Sequence, residues 1–378
     1  MENVELIAAT TFGLEALAAD ELKELGYPDQ TVEDGKVTFR ADLEAICRTN
    51  LWLRTADRVR LKIGEFPAVT FDELFEQTKV LPWSDWLPEN ARFPVEGKSV
   101  KSTLFSVPDC QAIVKKAIVE SLKGRYRRDW FSEDGPLYKI EVAILKDIAT
   151  LTIDTTGPGL HKRGYRTLIG DAPLKETLAA AMVMLARWHH DIALIDPCCG
   201  SGTIPIEAAL MGLNLAPGLN RTFVSEDWPN IPQTLWQKTR QTAREEANFQ
   251  RELFIIGTDI DPKVLRVARQ NVEAAGLSEL IHFQASPLAN LSSSKKYGKI
   301  ICNPPYGERM GERKAVEALY QEMGRVFSKL DTWSFYVLTS HPRFEELFGR
   351  KASKKRKLYN GNIKVDYYQF YGPRPPRR

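Results

Sequence analysis

The first 65 residues alternate between a two-residue and a three-to-four-residue hydrophobic period, which predicts strands and helices in turn. Helices are predicted at Gly13–Gly26 and after Asp42, a residue type that suits an N-cap. Asp34-Gly35 is a strong hairpin signal between two short strands. The predicted strands are Val4–Thr10, Gln30–Glu33, Lys36–Arg40 and Arg58–Ile63. The order β-α-β-β-α-β predicts a ferredoxin-like domain over residues 1–65.

Residues 66–156 form a second predicted α+β unit. Helices are predicted at Phe71–Lys79 and Asp109–Lys123, with Asp109 as the cap of the second helix. Strands are predicted at Arg92–Glu96, Tyr138–Leu145 and Ile148–Ile153. Glycine and proline then punctuate residues 157–170, which indicates a linker.

Strand and helix patterns alternate from residue 171 to the end, which predicts a doubly wound α/β sheet. Predicted helices cover Pro173–Trp188, Ile204–Met211, Pro262–Ala275 and Lys314–Phe327. Predicted strands cover Ile192–Asp196, Leu253–Thr258, Ile281–Gln284, Lys299–Cys302, Ser334–Leu338 and Ile363–Phe370.

Composition places the chain in the ordinary globular class, with 43% apolar and 27% charged residues. No apolar run reaches the roughly 18 residues that cross a bilayer, and an acidic start at Glu2 does not fit a signal peptide. We therefore expect a cytoplasmic protein. The five cysteines form no C-x-x-C pair, and neither they nor the five histidines have metal-ligand spacing, so we expect no metal site.

Two groups of basic residues are candidate RNA contacts. The first is interleaved with aromatic residues, a combination that suits phosphate contact and base stacking, although an exposed helix face would look similar. It comprises Lys115, Lys116, Lys123, Arg125, Arg127 and Arg128. The second lies in a C-terminal stretch with eleven Lys or Arg after His341 against three acids, which suggests a polyanionic partner or a solvated tail. It comprises Lys354, Lys355, Arg356 and Lys357.

A glycine-rich turn, Asp196-Pro197-Cys198-Cys199-Gly200-Ser201-Gly202, follows a predicted apolar strand and precedes a helix. Gly200 and Gly202 allow a tight turn and close approach of a ligand. Parallel α/β sheets bind nucleotides at such turns. The dinucleotide fingerprint needs a third glycine where Pro205 stands. The leading acid, Asp196, suits a cationic ammonium better than a pyrophosphate.

A second acidic turn, Gly257-Thr258-Asp259-Ile260-Asp261-Pro262, ends the next predicted strand. Asp259 can accept both ribose hydroxyls, and Ile260 can cover one face of an adenine. In a dinucleotide fold the equivalent acid comes about 20 residues after the glycines. Asp259 comes far later, which counts against NAD.

The turn Asn303-Pro304-Pro305-Tyr306 follows the fourth predicted strand and is the most specific chemical signal. An amino group conjugated to a base is a poor nucleophile, because its lone pair is delocalised. The Asn303 side-chain oxygen and the Pro304 carbonyl can accept its two hydrogens and localise that pair toward a methyl donor. Pro305 stiffens the turn, and Tyr306 can stack on the base.

These turns resemble those of class I amino-methyltransferases, and the whole chain resembles the THUMP-domain 23S rRNA guanine-N2 methyltransferase family. The resemblance covers nearly the full length, and its most specific stretches are the linker and the basic segment. The matching stretches are Gly13–Glu15, Gly157–Arg166, Ala172–Ala179, Asn303–Arg309 and Lys354–Gly361.

This resemblance implies a ferredoxin-like domain, a THUMP RNA-binding domain and a Rossmann-like catalytic domain whose mostly parallel sheet has an antiparallel last strand. It implies S-adenosylmethionine as donor and large-subunit rRNA as substrate. By motif match, Asp196, Gly200 and Gly202 would bind the methionine part and Asp259 the ribose.

Two positions depart from the family pattern. Cys198 stands where the family often has phenylalanine, which should alter packing more than chemistry. Ser286 stands where an acid usually bonds the adenine amino group, and a serine can still accept one hydrogen bond.

Three alternatives stay open at the level of sequence. The same turn serves adenine N6, cytosine N4 and glutamine amides, although an RNA-binding front half disfavours DNA and protein. A tRNA guanine is a further possible target. A non-catalytic RNA-binding protein of ribosome assembly would keep the fold without the activity.

Overall fold

The computed structural model describes residues 3–166, 174–307 and 313–376, and it divides into two compact units. Unit 1 contains the chain up to Thr10, Ala18–Leu160 and Thr222–Thr242. Unit 2 contains Thr11–Leu17, His161–Arg221 and the chain from Ala243 onward. Pro173, the predicted start of a helix, and Glu308 and Arg309 lie outside the described residues, as do linker residues 167–170.

The strands of unit 1 form one seven-stranded sheet. They are β1 (Val4–Thr10), β2 (Gln30–Glu33), β3 (Lys36–Ala41), β4 (Ala56–Pro67), β5 (Val95–Val100), β6 (Ile140–Leu145) and β7 (Ile148–Asp154). Their spatial order is β2-β3-β1-β4-β7-β6-β5. The helices along this part of the chain are α1 (Glu15–Glu24), α2 (Glu44–Trp52), α3 (Phe71–Lys79), α4 (Trp83–Trp86) and α5 (Val107–Tyr126). The predicted β-α-β-β-α-β order is therefore observed.

Strand β4 is longer than predicted because it serves two halves of the sheet. Its residues from Ala56 to Leu61 pair with β1, and its residues from Arg60 to Pro67 pair with β7. The register shifts between Lys62 and Gly64. The second half of β4 thus depends on a long-range partner.

Helix α5 and strand β5 begin at other residues than predicted. Helix α5 begins at Val107 with Pro108 in its first turn, so Asp109 lies inside the helix and does not cap it. Proline is tolerated there because its missing N–H would have no helical partner. Strand β5 begins at Val95 instead of Arg92, whose only ladder contact is an isolated bridge. Pro94, which has no N–H to donate, interrupts the ladder.

Unit 2 contains the second seven-stranded sheet. Its strands are β8 (Leu194–Asp196), β9 (Ile255–Asp259), β10 (Ile281–Ala285), β11 (Lys299–Cys302), β12 (Ser334–Thr339), β13 (Lys354–Asn360) and β14 (Ile363–Phe370), in the order β10-β9-β8-β11-β12-β14-β13. The helices are α6 (Glu176–Leu185), α7 (Thr203–Gly212), α8 (Gln233–Glu245), which begins in unit 1, α9 (Pro262–Ala274), α10 (Arg313–Phe327) and α11 (Phe344–Phe348).

The predicted α/β class with an antiparallel last strand is confirmed. Strands β8 to β12 run parallel, and β14 is antiparallel to both of its neighbours. Apolar residues cover both faces of this sheet, since the consecutive residues Leu194 and Ile195 belong to different core clusters. Layers on both faces identify a Rossmann-like sheet.

Strand β13 and helix α8 were not predicted. Strand β13 begins with four basic residues and buries only Leu358, because an edge strand needs little apolar surface and often carries lysine. In unit 1, Trp236 of α8 stacks on Phe223 with ring centroids 5.3 Å apart. Trp228 similarly stacks on Tyr138 at 4.5 Å.

We expect Gly324→Ala to destabilise the protein. A methyl group at Gly324 in α10 would lie 2.1 Å from the Phe348 carbonyl oxygen of α11, so the two helices must separate. The cost of such overpacking is about 1–3 kcal/mol, which thermal unfolding would show as a melting temperature several degrees lower. The control is Gly124→Ala in α5, where nothing lies within 4 Å of the added methyl. An unchanged Gly324→Ala melting temperature would contradict the close approach of the helices.

Candidate functional site

The turn after β8 is shaped by two glycines with positive φ. Gly200 has φ 53° and Gly202, at the N-cap position of α7, has φ 82°. A Cβ at Gly202 would lie 2.9 Å from the Phe283 ring, whereas a Cβ at Gly200 would meet nothing within 4 Å. The turn is thus packed tightly on its sheet side and open at Gly200, where a ligand can approach the backbone.

Asp259 joins three loops at the carboxyl edge of the sheet. Its Oδ2 accepts a hydrogen bond from the Gly200 N–H at 3.0 Å, and its Oδ1 accepts one from the Asp261 N–H at 3.1 Å. Its carbonyl oxygen accepts the Ser286 N–H at 3.0 Å. The turns after β8, β9 and β10 are therefore held together, although Gly200 and Asp259 are 59 residues apart.

Asp196 ends β8 as a buried acid. Its Oδ1 accepts the Cys198 N–H at 3.1 Å, and only 2% of the residue surface is exposed. Burial raises the pKa of Asp196 well above its usual range, the Cys198 N–H opposes that shift, and the nearby Asp259 carboxylate adds to it. A bound cation would lower the cost of ionising Asp196. These residues therefore fit a donor that carries a cationic ammonium and a sulfonium.

The remaining predicted donor contacts lie around the same turns. The Ile260 side chain is 76% exposed directly after Asp259, so it is available to cover a planar ring. Ser286 is half-buried, with its hydroxyl 3.4 Å from the Pro287 carbonyl. Cys198 is half-buried, and desolvation raises the pKa of its thiol.

The turn after β11 carries a side-chain contact within the motif itself. The Tyr306 hydroxyl donates a hydrogen bond to Asn303 Oδ1 at 2.6 Å. The Asn360 amide, at the end of β13, lies 3.5 Å from the Tyr306 hydroxyl. Pro304 is buried and Pro305 is exposed. The Asn303 oxygen thus has a fixed orientation, a role for Tyr306 that sequence reasoning missed.

Tyr320 of α10 also holds this turn and was not predicted. Its hydroxyl donates to the Pro305 carbonyl at 2.7 Å and lies 2.8 Å from Thr339 Oγ1. Since the Tyr320 proton goes to Pro305, Thr339 donates to Tyr320. Tyr320 is fully buried in a helix stripe, and nothing in the sequence distinguished it from an ordinary core residue.

The three predicted turns meet because parallel neighbouring strands end at one edge. Asp196 pairs with Gly257 across β8 and β9, and Ile195 of β8 pairs with Ile300 of β11. Burial raises the pKa of the thiol of Cys302, the residue before Asn303, and the nearby Cys198 and Asp196 add to that shift. The structure therefore brings the acidic, glycine-rich and Asn-Pro-Pro-Tyr turns into one site in unit 2.

The predicted basic residues differ in how far they are already paired. In unit 1, Lys115 binds Glu133 at 2.6 Å and the Phe93 carbonyl at 3.0 Å, and Lys123 binds Glu120 at 2.8 Å. Arg128 pairs with Glu89. Lys116, Arg125 and Arg127 are exposed. The charges of Lys116, Arg125 and Arg127 are therefore more available than those of the residues held in ion pairs.

The second basic group of the prediction, Lys354 to Lys357, lies on strand β13. Lys354, Lys355 and Lys357 are exposed and Arg356 is half-buried. Lys355 approaches the Asp366 carboxylate at 3.9 Å. Their charges lie on an edge strand of the same sheet that carries the site.

The described residues provide neither a cluster of metal ligands nor a membrane-spanning helix. Residues 3–166, 174–307 and 313–376 contain no cluster of three or more histidine, cysteine or acidic side chains that could hold a metal ion. In the same ranges, every helix is too short or too polar to cross a membrane. All five cysteines are free thiols.

Three family models match the chain in succession. They describe an RlmL ferredoxin-like domain at residues 5–60, a THUMP domain at 68–154 and an RMKL-like methyltransferase domain at 163–369. "Putative RNA methyltransferase YpsC" of Bacillus subtilis is 55% identical over 380 residues, which cover 100% of this chain and 98% of that protein.

Two solved structures resemble the chain over nearly its full length. SMU.472, a methyltransferase-like protein complexed with SAH, superposes with a TM-score of 0.94 at 47% identity and covers 100% of both chains. A protein from Listeria monocytogenes described as a predicted N6-adenine-specific DNA methylase superposes with a TM-score of 0.95 at 56% identity, covering 99% of this chain and 97% of that one.

We expect Asp196→Asn to stabilise the ligand-free protein and to weaken donor binding. The amide keeps the bond from Cys198 but removes the buried charge. A raised pKa means that Asp196 costs stability as the pH rises above the unfolded value near 4, so the stabilisation should appear above that pH and grow until the raised pKa is passed. Affinity of the wild type for S-adenosylmethionine should rise over the same interval, because binding requires the ionised acid.

Calorimetry between pH 5 and 8 measures both effects of Asp196→Asn. The donor Kd should rise at least about tenfold, the scale of one lost charge-assisted bond. Asp331→Asn, which changes an exposed acid of the same unit, is the control. Wild-type donor affinity in Asp196→Asn would contradict the role assigned to this carboxylate.

Proposed function

We propose that this chain, which belongs to the family of RMKL-like methyltransferases with an RlmL ferredoxin-like domain and a THUMP domain, methylates N2 of a guanine in 23S rRNA. It is an RNA methyltransferase that uses S-adenosylmethionine, as the sequence predicted. The family, the RNA methyltransferase name of the relative from B. subtilis and the SAH bound to SMU.472 support that level of function. That the methylated atom is N2 of a guanine, and that the substrate is 23S rRNA, are the more specific parts of our proposal.

One observation supports the proposed chemistry most directly. The Asn303 oxygen is oriented at the end of β11, beside the turn that starts at the buried acid Asp196. S-adenosylmethionine, when bound, supplies a methyl group on a positively charged sulfur. In our proposal, Asn303 Oδ1 and the Pro304 carbonyl accept the two N–H hydrogens of the guanine amine. This localises the nitrogen lone pair toward the methyl group, and positioning supplies much of the catalysis.

The other predicted residues take roles around that pair of acceptors. We propose that Asp196, Cys198, Gly200 and Gly202 hold the methionine part of the donor. Asp259 would accept the ribose hydroxyls, Ile260 would cover the adenine and Ser286 would accept one bond from its amino group. Tyr306 would stack on the target base through its ring while its hydroxyl orients Asn303. Pro305 would keep the turn rigid.

We propose that the predicted basic residues bind RNA and that the exposed ones contribute most to this binding. Lys116, Arg125 and Arg127 are free to reach phosphates, whereas Lys115, Lys123 and Arg128 would have to exchange an ion pair for an RNA contact. We also propose that the domains are residues 1–65, 66–156 and 171–378, with 157–170 as linker.

The target base has one specific competitor. The L. monocytogenes protein is described as an N6-adenine-specific DNA methylase, and adenine N6 is a conjugated amine that the same two oxygens could hold. A THUMP domain and the name of the B. subtilis relative favour RNA over DNA. The resemblance to guanine-N2 methyltransferases favours guanine over adenine.

We expect a strain without this gene to lose N2-methylguanosine from 23S rRNA. Mass spectrometry of nucleosides from 23S rRNA and tRNA would quantify N2-methylguanosine and N6-methyladenosine in the same samples. Complementation with the wild type should restore the 23S signal, and Asn303→Ala should not, although RNA binding persists. A change confined to tRNA or to N6-methyladenosine would replace the proposed target, and unchanged levels in both pools would refute it.

We expect Tyr320→Phe to lower kcat with little change in the donor Kd. Without the hydroxyl, the Pro305 carbonyl loses its buried partner and the turn loosens. One lost hydrogen bond at a buried partner is worth about 1–3 kcal/mol, so kcat should fall about tenfold or more. The matched control is Tyr367→Phe, since the buried Tyr367 hydroxyl also donates to a carbonyl, that of Met182, at 2.8 Å. Equal kcat values for the two variants would contradict a positioning role for Tyr320.

A further inference from the structure

Residues Thr11–Leu17 belong to unit 2, the unit that contains the candidate site. Leu14 is buried in the same core cluster as Leu358 of β13. Gly13 has φ 94°, and a Cβ there would lie 3.0 Å from the Lys357 carbonyl oxygen. This segment is therefore anchored directly against the basic edge strand.

Phe12 is the exposed aromatic residue of this anchored segment. Its ring meets the ring of Tyr359 edge to face, with centroids 5.9 Å apart and an interplanar angle of 78°. Phe12 is nevertheless 49% exposed. The backbone beside it is constrained, because the Gly13 N–H donates to the Glu15 carboxylate at 2.8 Å. A held aromatic ring that keeps half of its surface in water has a face available for a partner.

The aromatic pair lies one residue along β13 from a contact with the Asn-Pro-Pro-Tyr turn, although Tyr359 and Asn360 project to opposite faces of the strand. Tyr359 precedes Asn360, whose side-chain nitrogen is 3.5 Å from the Tyr306 hydroxyl. Tyr306 in turn binds Asn303. Two consecutive residues of β13 thus connect Phe12 to the group that would hold the target amine.

Charge on the same strand indicates the kind of partner. Side chains alternate along β13, so Lys355 and Lys357 share the face of Tyr359, while Lys354 and Arg356 share that of Asn360. Cations beside a stacking aromatic are the combination that binds single-stranded nucleic acid. An apolar protein partner would not require four basic residues at this edge.

We propose that Phe12 and Tyr359 form a stacking platform for an RNA base adjacent to the target base. The proposal rests on the proposed function in that it takes RNA as the substrate. A base presented to the Asn-Pro-Pro-Tyr turn must leave its stack, which costs a few kcal/mol. Stacking of a neighbouring base on Phe12 returns about 1–3 kcal/mol of that cost. The platform thus offsets part of the stacking energy that the RNA loses where the target base leaves its stack.

The test uses the full-length protein and a single-stranded RNA oligonucleotide that carries 2-aminopurine, whose fluorescence is quenched on stacking. Phe12→Leu keeps an apolar contact with Tyr359 but removes the aromatic face, and Phe12→Trp keeps a face. We expect Phe12→Leu to raise the RNA Kd about fivefold or more and to lose the quenching, with the S-adenosylmethionine Kd unchanged. Phe12→Trp should retain both the affinity and the quenching.

Phe249→Leu, at another exposed phenylalanine of unit 2, is the matched control and should behave as the wild type. Equal RNA affinity and quenching for Phe12→Leu and the wild type would overturn the platform, as would an equal loss in Phe249→Leu. Repeating the titration with Asn303→Ala separates this result from the reaction. If the enzyme methylates another base, or none, while Phe12→Leu still loses quenching, then the assigned target fails and the platform stands.

Discussion

The candidate site depends on the three backbone hydrogen bonds that Asp259 accepts. Its carboxylate binds the N–H groups of Gly200 and Asp261, and its carbonyl binds that of Ser286. These bonds fix the turns after three parallel strands relative to one another. Each oxygen of this carboxylate has two lone pairs and uses one of them for these bonds. Each can therefore still accept a hydrogen bond from a hydroxyl group. The residue that would bind the ribose therefore also holds the turns of the candidate site together.

The site combines this rigidity with an electrostatic cost. Asp196 is desolvated and lies near a second carboxylate, so its ionised form is disfavoured in the ligand-free protein. In our proposal, the positive charge of the bound donor lowers that penalty, so the acid favours a cationic ligand. At the other end of the site, the Asn303 oxygen is oriented by Tyr306, and the Pro305 carbonyl is held by Tyr320. The acid proposed to bind the donor thus ends β8, whereas the oxygens proposed to accept the target amine follow β11.

The two compact units exchange short segments of sequence. Thr11–Leu17 lies in the unit that carries the site, and Thr222–Thr242 belongs to the unit that carries the ferredoxin-like strands. In the latter segment, Trp228 stacks on Tyr138 and hydrogen-bonds the Leu137 carbonyl at 2.9 Å. The tryptophan-rich insert that follows α7 is therefore part of the core of that unit. The exchanges also give Phe12 a place beside β13 that its position in sequence does not suggest.

The sequence by itself determined the order of most of the elements, the α/β class and the three turns that form the candidate site. It could do so because the hydrophobic period distinguishes helices from strands, and because glycine and proline determine which local φ and ψ are allowed. The turns could be grouped because neighbouring parallel strands end at one edge of the sheet. Only the tertiary structure decided the role of Tyr320, which shares its apolar helix stripe with ordinary core residues. The same holds for β13, whose basic residues carry almost no strand signal, and for the second half of β4, which exists through β7. Each of these depends on a partner distant in sequence, and local patterns do not encode which distant residue will supply a hydrogen bond or an edge.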